Sequence, residues 1–204
     1  MKAGIIGVGR IGSTLARLLV TAGHSVGLAN ASGPERLAPL LAELGPAATA
    51  GTPREIADGA ELLVFMVPFD RAEGLLPDSA VAGKVLVDAM NAFSGGGLPR
   101  DLDGRGSSEL VADWYPSARI VKSLNTMHYE TLAGAGDNSG ERLAHYVAGN
   151  DREGKQTVAG IITELGFAPI DTGSLHRGGL LQQPGGPLFN KPLTERQAHA
   201  VLGF

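Results

Sequence analysis

Gly7, Gly9 and Gly12 stand near the start of the chain in the order Gly-x-Gly-x-x-Gly. The apolar run Ala3-Gly4-Ile5-Ile6 precedes them, and Ser13-Thr14-Leu15-Ala16-Arg17-Leu18-Leu19 follows. A strand, a tight turn and the start of a helix, in that order, gather backbone N–H groups and the positive end of a helix dipole at one point. Such a point attracts an anion, and this arrangement fits the pyrophosphate of a dinucleotide. Gly7 would permit the turn, Gly9 the close approach of phosphate to backbone, and Gly12 the close packing of helix on strand. Val8, Arg10 and Ile11 complete the phosphate-binding turn. The alternative is a glycine-rich turn with no ligand, in a chain that holds 30 glycines.

The elements needed to position this turn are legible in outline. Apolar runs with β-type residues recur at 2–6, 25–29, 62–67, 84–88, 119–123 and 145–148, with helix-period stretches between most of them. That alternation predicts an α/β fold with a doubly wound, mainly parallel sheet. The first helix is expected over 11–22, with Leu15, Leu18 and Leu19 on one face and Gly23 ending it. Ser32-Gly33-Pro34-Glu35 has the spacing of a capping box, and 36–44 continues it as a helix. A helix over 151–165, a short strand over 167–170 and a terminal helix over 194–202 follow. Glycine and proline crowd 171–188, which predicts an ordered loop there.

Length and composition bound the function classes. At 204 residues the chain suits one full α/β domain with a small appendage. We therefore expect a single domain over 1–204, with 171–204 as a C-terminal loop–helix extension. A net charge of −4 supplies no basic surface for nucleic acid. There is no apolar run of the roughly 18 residues a membrane span needs, so a cytoplasmic protein without a membrane partner is expected. With no cysteine and five scattered histidines, no metal site is expected.

The end of the second strand bears on cofactor choice. Folds that take NAD usually carry a carboxylate about 20 residues past the glycine turn, where it binds the ribose 2′-hydroxyl. Asn30 stands there instead. Nothing in that position repels a 2′-phosphate, and Asn30 and Ser32 can accept one, so NADP is the expected cofactor. Arg10 or Arg36 would bring positive charge. Alternatively Arg36 is an exposed helix residue and Arg10 lines the entrance.

Several motifs now fall in a specific order: Gly7-Val8-Gly9-Arg10-Ile11-Gly12, Ala29-Asn30, Val67-Pro68-Phe69, Val87-Asp88-Ala89-Met90-Asn91, Lys122-Ser123-Leu124-Asn125-Thr126 and Asp171-Thr172-Gly173-Ser174-Leu175. Together they resemble the NADPH-dependent coenzyme F420 reductase family, also called F420-dependent NADP oxidoreductases, over nearly the whole chain. The resemblance implies a Rossmann-type fold and a hydride passed directly between NADP and a deazaflavin, coenzyme F420, or a flavin-like ring. It also implies a departure: members commonly carry a Ser-Arg pair just after the second strand, with the arginine on the 2′-phosphate. Here Ala31 and Ser32 follow Asn30.

Ligands of such sheets bind beyond the carboxyl ends of the strands. That rule nominates Val67, Pro68 and Asn91 beside the cofactor, and Phe69, Asn125, Thr126, Met127 and Ser174 around the second substrate. His128 is the titratable candidate, as a hydrogen-bond donor to the substrate or a proton source, with an exposed first-turn histidine as the alternative. Lys122 reads as a structural residue within its strand, and Asp88 as an acceptor for the turn that follows it. The stretch containing Gln182 and Gln183 is expected to form a lid, a dimer arm or a docked surface loop. The apolar terminal helix predicts a homodimer. Reduction of an imine, a carbonyl or a ferric chelate, and a dinucleotide sensor without turnover, are the alternatives to deazaflavin reduction.

Overall fold

The computed structural model describes residues 1–134 and 140–203. Its centre is an eight-stranded sheet in the order β3-β2-β1-β4-β5-β6-β7-β8. The strands are β1 (Lys2–Ile6), β2 (Ser25–Ala29), β3 (Ala48–Ala50), β4 (Leu62–Phe65), β5 (Val85–Asp88), β6 (Arg119–Lys122), β7 (Ala144–Gly149) and β8 (Ala168–Gly173). The helices are α1 (Arg10–Thr21), α2 (Ala38–Leu44), α3 (Pro53–Gly59), α4 (Ser107–Trp114), α5 (Tyr129–Ala133), α6 (Arg152–Glu164), α7 (Leu175–Gln182) and α8 (Glu195–Leu202). Pairing is parallel from β3 through β6. Strand β7 then runs antiparallel to β6, and β8 is parallel to β7.

The strands bury both faces, which is why β4 and β5 show no polar alternation. Leu62 and Val64 of β4 join Leu15 and Leu19 of α1 and Val158 and Ile162 of α6 in one core layer. Leu63 and Phe65 point the other way, to Val111 of α4 and Leu175 of α7. Each fully buried side chain of this kind contributes about 1.5–3 kcal/mol, so the two layers fix the height and tilt of every strand end. A third cluster, with Tyr146, Ile170, Leu188 and Ala198, docks α8 on the far strands.

The Rossmann-type, mainly parallel sheet agrees with the sequence, with three differences. The segment 171–188 is not an irregular loop: 171–173 completes β8, and Leu175–Gln182 is helix α7. Gly178 accounts for it, because a Cβ there would sit 2.8 Å from Ala148 Cβ, and its absence lets the helix lie directly on β7. Ser32 and Glu35 form no capping box. The Ser32 N–H donates to Asn30 Oδ1 at 3.1 Å, and Gly33 (φ 88°) starts a 3-10 turn over Pro34–Leu37 before α2. Asn30 thus closes its own turn, as Asn does at such corners. The third difference is β3, three residues of Ala-Thr-Ala with no apolar pattern to announce it.

Candidate functional site

Strand order reverses between β1 and β4, since β2 and β3 extend the sheet to one side and β4 to β8 to the other. A cleft of about 380 Å³ opens at their carboxyl ends, where open α/β sheets hold ligands. Gly7, Gly9, Arg10, Ile11 and Gly12 line it from the β1–α1 turn, Met66 and Val67 from β4, Ala89, Met90 and Asn91 from β5, and His128 and Tyr129 from the start of α5.

The three glycines of the turn differ in what demands them. Gly7 has φ 107°, and a Cβ would lie 2.5 Å from the Met66 carbonyl carbon. At Gly12 a Cβ would come within 2.4 Å of the Gly7 carbonyl oxygen. Chain packing therefore requires both. Gly9 has φ −94°, and nothing lies within 4 Å of where its Cβ would be. The fold leaves that position free, and the space in front of it is the cleft.

The start of α1 is also bare of side-chain partners. It has no capping hydrogen bond and no acidic residue in its first turn. Its first N–H groups and its dipole are thereby left for an anion. Beside the main cleft lies a second of about 410 Å³, lined by Val8, Gly9, Arg10, Ser13, Arg17, Arg36, Leu37, Pro39, Leu40 and Glu43. Arg17 is committed to Glu43 through two hydrogen bonds of 2.6 and 2.8 Å. Arg36 is exposed and its guanidinium has no partner among the described residues. The Arg10 guanidinium carbon lies 5.3 Å from the centre of the Tyr129 ring, a cation–π distance.

Behind the β5 wall lies a polar lattice. Lys122 and Asp88 are both fully buried, with Nζ 3.2 Å from Oδ2. Lys122 Nζ also donates to the Met90 carbonyl at 2.6 Å. Asp88 accepts the Met90 N–H on Oδ1 at 3.0 Å and the Ser108 hydroxyl on Oδ2 at 2.6 Å. Burial pushes Lys122 below the ordinary lysine value, and the Asp88 carboxylate offsets part of that shift. Asn91 Nδ2 donates to the Asn125 carbonyl, and Asn125 Nδ2 returns a bond to Asn91 Oδ1, each at 3.0 Å.

Of the residues nominated from sequence, Gly7, Gly9, Arg10, Ile11, Gly12, Val67, Asn91 and His128 line the main cleft. Val8 and Arg36 line the second. Pro68 is exposed one residue past Val67, and Asn30 and Ser32 close the turn after β2. His128 caps α5 by position, half exposed, with Nδ1 3.5 Å from Glu130 Oε2. The second-substrate residues fall elsewhere. Phe69 and Met127 are buried, each only 5% exposed, Phe69 against Trp114 with ring centres 5.1 Å apart. Asn125 and Thr126 are buried, and Asn125 serves to hold Asn91 and the Gln182 carbonyl. Ser174 caps α7 by accepting the Arg177 N–H. Because β8 runs antiparallel to β6, its carboxyl end points away from the cleft, and the strand-end rule does not reach Ser174.

Gln182 and Gln183 form no lid. The Gln182 side chain donates to Thr172 Oγ1, and Gln183 Oε1 accepts the Ser107 N–H, so both tie α7 down. Tyr129, Met66, Ala89 and Met90 line the cleft without having been singled out. Tyr129 follows His128 directly, and that adjacency was the available signal. Among the described residues no group of three or more His, Asp or Glu side chains comes together to hold a metal. Nor is any described helix long and apolar enough to cross a membrane.

The doubly wound sheet, its switch-point cleft and the glycine turn define a Rossmann-type dinucleotide-binding architecture. A family model for coenzyme F420-dependent NADP oxidoreductases matches residues 2–92. A provisionally assigned F420-dependent NADP reductase of Arthrobacter sp. fb24 is 30% identical, with 87% of this chain and 88% of that one covered and a TM-score of 0.73. A hypothetical protein from Sinorhizobium meliloti is 33% identical over 96% of both chains, with a TM-score of 0.89. Metalloreductase STEAP3 of Rattus norvegicus is 31% identical over 176 residues, 85% of this chain. The chain spans about a third of that metalloreductase's length, 34%. The chain belongs to the F420-dependent NADP oxidoreductase family.

Proposed function

We propose that this protein binds NADP(H) across the β1–β4 switch point and exchanges a hydride with a deazaflavin or flavin-like ring lying in the open cleft. The observation that carries the binding step is Gly9. Neither backbone angle nor packing requires glycine there, whereas a pyrophosphate seated on the bare start of α1 would occupy the space a Cβ would take. On this reading Gly7, Val8, Gly9, Arg10, Ile11 and Gly12 hold the pyrophosphate, Val67 and Pro68 flank the dinucleotide, and Asn91 borders its reactive end. Asn30 and Ser32 face the adenosine ribose.

The second cleft supports NADP over NAD. It joins the main cleft at Gly9 and Arg10 and presents Arg36 without a partner among the described residues, in place of the arginine that the family carries just after β2. Arg36 would pair with the 2′-phosphate, with Arg10 second. The nicotinamide, when bound, supplies the hydride. The protein's contribution is to hold two rings at stacking distance, which itself lowers the barrier substantially. His128, exposed at the mouth, would donate a hydrogen bond to the acceptor ring.

A second reading has a specific support: the 31% identity to a metalloreductase favours a ferric chelate as acceptor over other small molecules. Titration of NADPH against NADH, followed by loss of reduced cofactor on adding coenzyme F420, flavin mononucleotide or ferric citrate, separates these. Tighter NADPH binding with rapid oxidation by the deazaflavin is the expected result. Oxidation by ferric citrate alone would move the assignment to the metalloreductase reading. Binding without turnover on any acceptor would indicate a sensor, and tighter NADH binding would overturn the cofactor assignment. A homodimer is part of the proposal and is checked by sedimentation.

A further inference from the structure

We infer that Lys122, together with Asp88, is the positioning residue for the acceptor-side wall of the cleft. The inference rests on the hydride-transfer reading above, because that wall borders the reacting rings in it. Lys122 lies in β6 with no exposed surface, yet spends its ammonium on the turn after the neighbouring strand, through the Met90 carbonyl at 2.6 Å. Asp88, opposite Lys122 in the β5–β6 register, takes the other end of the same residue, the Met90 N–H. Both backbone groups of Met90 are therefore gripped from behind by a buried ion pair. Ala89, Met90 and Asn91 are the part of the β5 turn that faces the cleft.

A purely architectural role for the pair is a poor account of it. Two buried charges are costly to desolvate, and apolar replacements of the same volume often serve stability as well or better. What an apolar pair cannot do is fix the orientation of the two peptide planes on either side of Met90, since that takes one directed hydrogen bond to each. The surroundings carry the same design. Leu124, two residues past Lys122, is held in the left-handed region at φ 60°, a strain that persists where neighbours over-determine it. That kink leads the chain from Lys122 to Asn125, whose Nδ2 donates to Asn91 Oδ1 and whose backbone carbonyl accepts from Asn91 Nδ2. Lys122 sets Met90, and Asn125 sets Asn91.

The test uses the full chain. Lys122→Met alone leaves a buried carboxylate without its partner and risks unfolding, so the paired variant Asp88→Leu/Lys122→Met, which removes both bonds to Met90, is measured beside it. Ser123→Ala is the control, because it removes a buried hydrogen bond to the Tyr146 carbonyl from the adjacent residue without touching the turn. In the paired variant, kcat with NADPH and the deazaflavin is expected to fall about 100-fold, the cost of misplacing a reacting group by an ångström or so. The NADPH dissociation constant should stay within about threefold, the split that marks loss of orientation rather than of binding. Hydrogen exchange at the Met90 amide should accelerate at least about tenfold while β1 amides keep their protection. A kcat within about twofold of the parent, or a loss equalled by Ser123→Ala, would overturn the inference. Should the parent oxidise no NADPH with any acceptor, the hydride reading fails by itself. Met90 exchange then decides, and unchanged protection sinks the positioning role.

Discussion

Helices α1 and α6 each follow a strand and pack into the same core layer, yet they begin in opposite ways. At α6 the Asp151 carboxylate accepts the Gly154 N–H at 2.6 Å, and Glu153 adds negative charge to the first turn. At α1 Gly9 occupies the cap position with no side-chain acceptor and no acidic neighbour. Of the other described helices of eight residues or more, Ser174 caps α7 and Thr194 caps α8; α4 starts at Gly106 without a side-chain cap, but Glu109 in its first turn takes the Gly106 N–H and Gln183 Oε1 the Ser107 N–H. Free donors at a helix start cost stability, about 1 kcal/mol for a missing cap. Among the described helices of that length, α1 alone has neither a side-chain acceptor nor an acidic residue at its start, and its start opens on the cleft. A helix start bare of side-chain partners is informative when the comparable starts in the same chain each have one.

The contrast can be broken most severely at Gly7. Gly7→Ala forces a side chain into φ 107° and onto the Met66 backbone, and is expected to destabilise the fold by about 3 kcal/mol or more in urea unfolding. Retention of the parent midpoint would show that the turn is not as rigid as drawn.

The α6 side carries its own liability. His145 on β7 is fully buried with neither ring nitrogen paired among the described residues, and burial pushes it down to about 4. Its folded pKa lies below the unfolded value near 6.5, so its contribution to stability is intact above about pH 6.5 and drains away as pH falls toward 4. That amounts to up to about 3 kcal/mol. His145→Leu should flatten the stability profile across that window relative to the parent, and parallel profiles would refute the assignment.

Gly9→Ala separates ligand from fold. Stability is expected to change by less than about 0.5 kcal/mol, while NADPH affinity drops about 30-fold, roughly 2 kcal/mol. A loss of stability at unchanged affinity would remove the main support for the pyrophosphate seat. Arg36→Ala should weaken NADPH about tenfold and leave NADH unaltered in the same titration. Equal losses for both cofactors would place Arg36 off the 2′-phosphate. At the other terminus, Asp151→Ala should cost about 1 kcal/mol by thermal unfolding and leave cofactor affinity unchanged. Were it to alter NADPH binding instead, the two helix starts would not be independent.

How much of this could be read from the chain follows from the range of each interaction. The glycine turn and its helix are local: Gly7, Gly9 and Gly12 define one corner within six consecutive residues, and β1 and β2 have the extent the apolar runs mark. The direction of β7 is not local. Its alternation looks the same in either orientation, and the reversal carried Ser174 away from the cleft. Phe69 and Met127 were misplaced because chain position sets where a backbone lies and not which way a side chain turns, and both turn into the core. Lys122 reads from sequence only as a residue of its strand, because its partners at Asp88 and Met90 lie 34 and 32 residues away in sequence. Only the β5–β6 register brings them together.

Trp114 is the single tryptophan of the chain and rests on Phe69, two residues beyond Val67 at the rim of the cleft. Indole emits where a reduced nicotinamide absorbs, so the protein carries a built-in energy-transfer donor beside its candidate cofactor seat. Arrival of NADPH would quench that emission and light the cofactor's own, while NADP would do neither. Occupancy by the reduced cofactor, and its loss on oxidation, would thus be readable from one native chromophore, with no label attached.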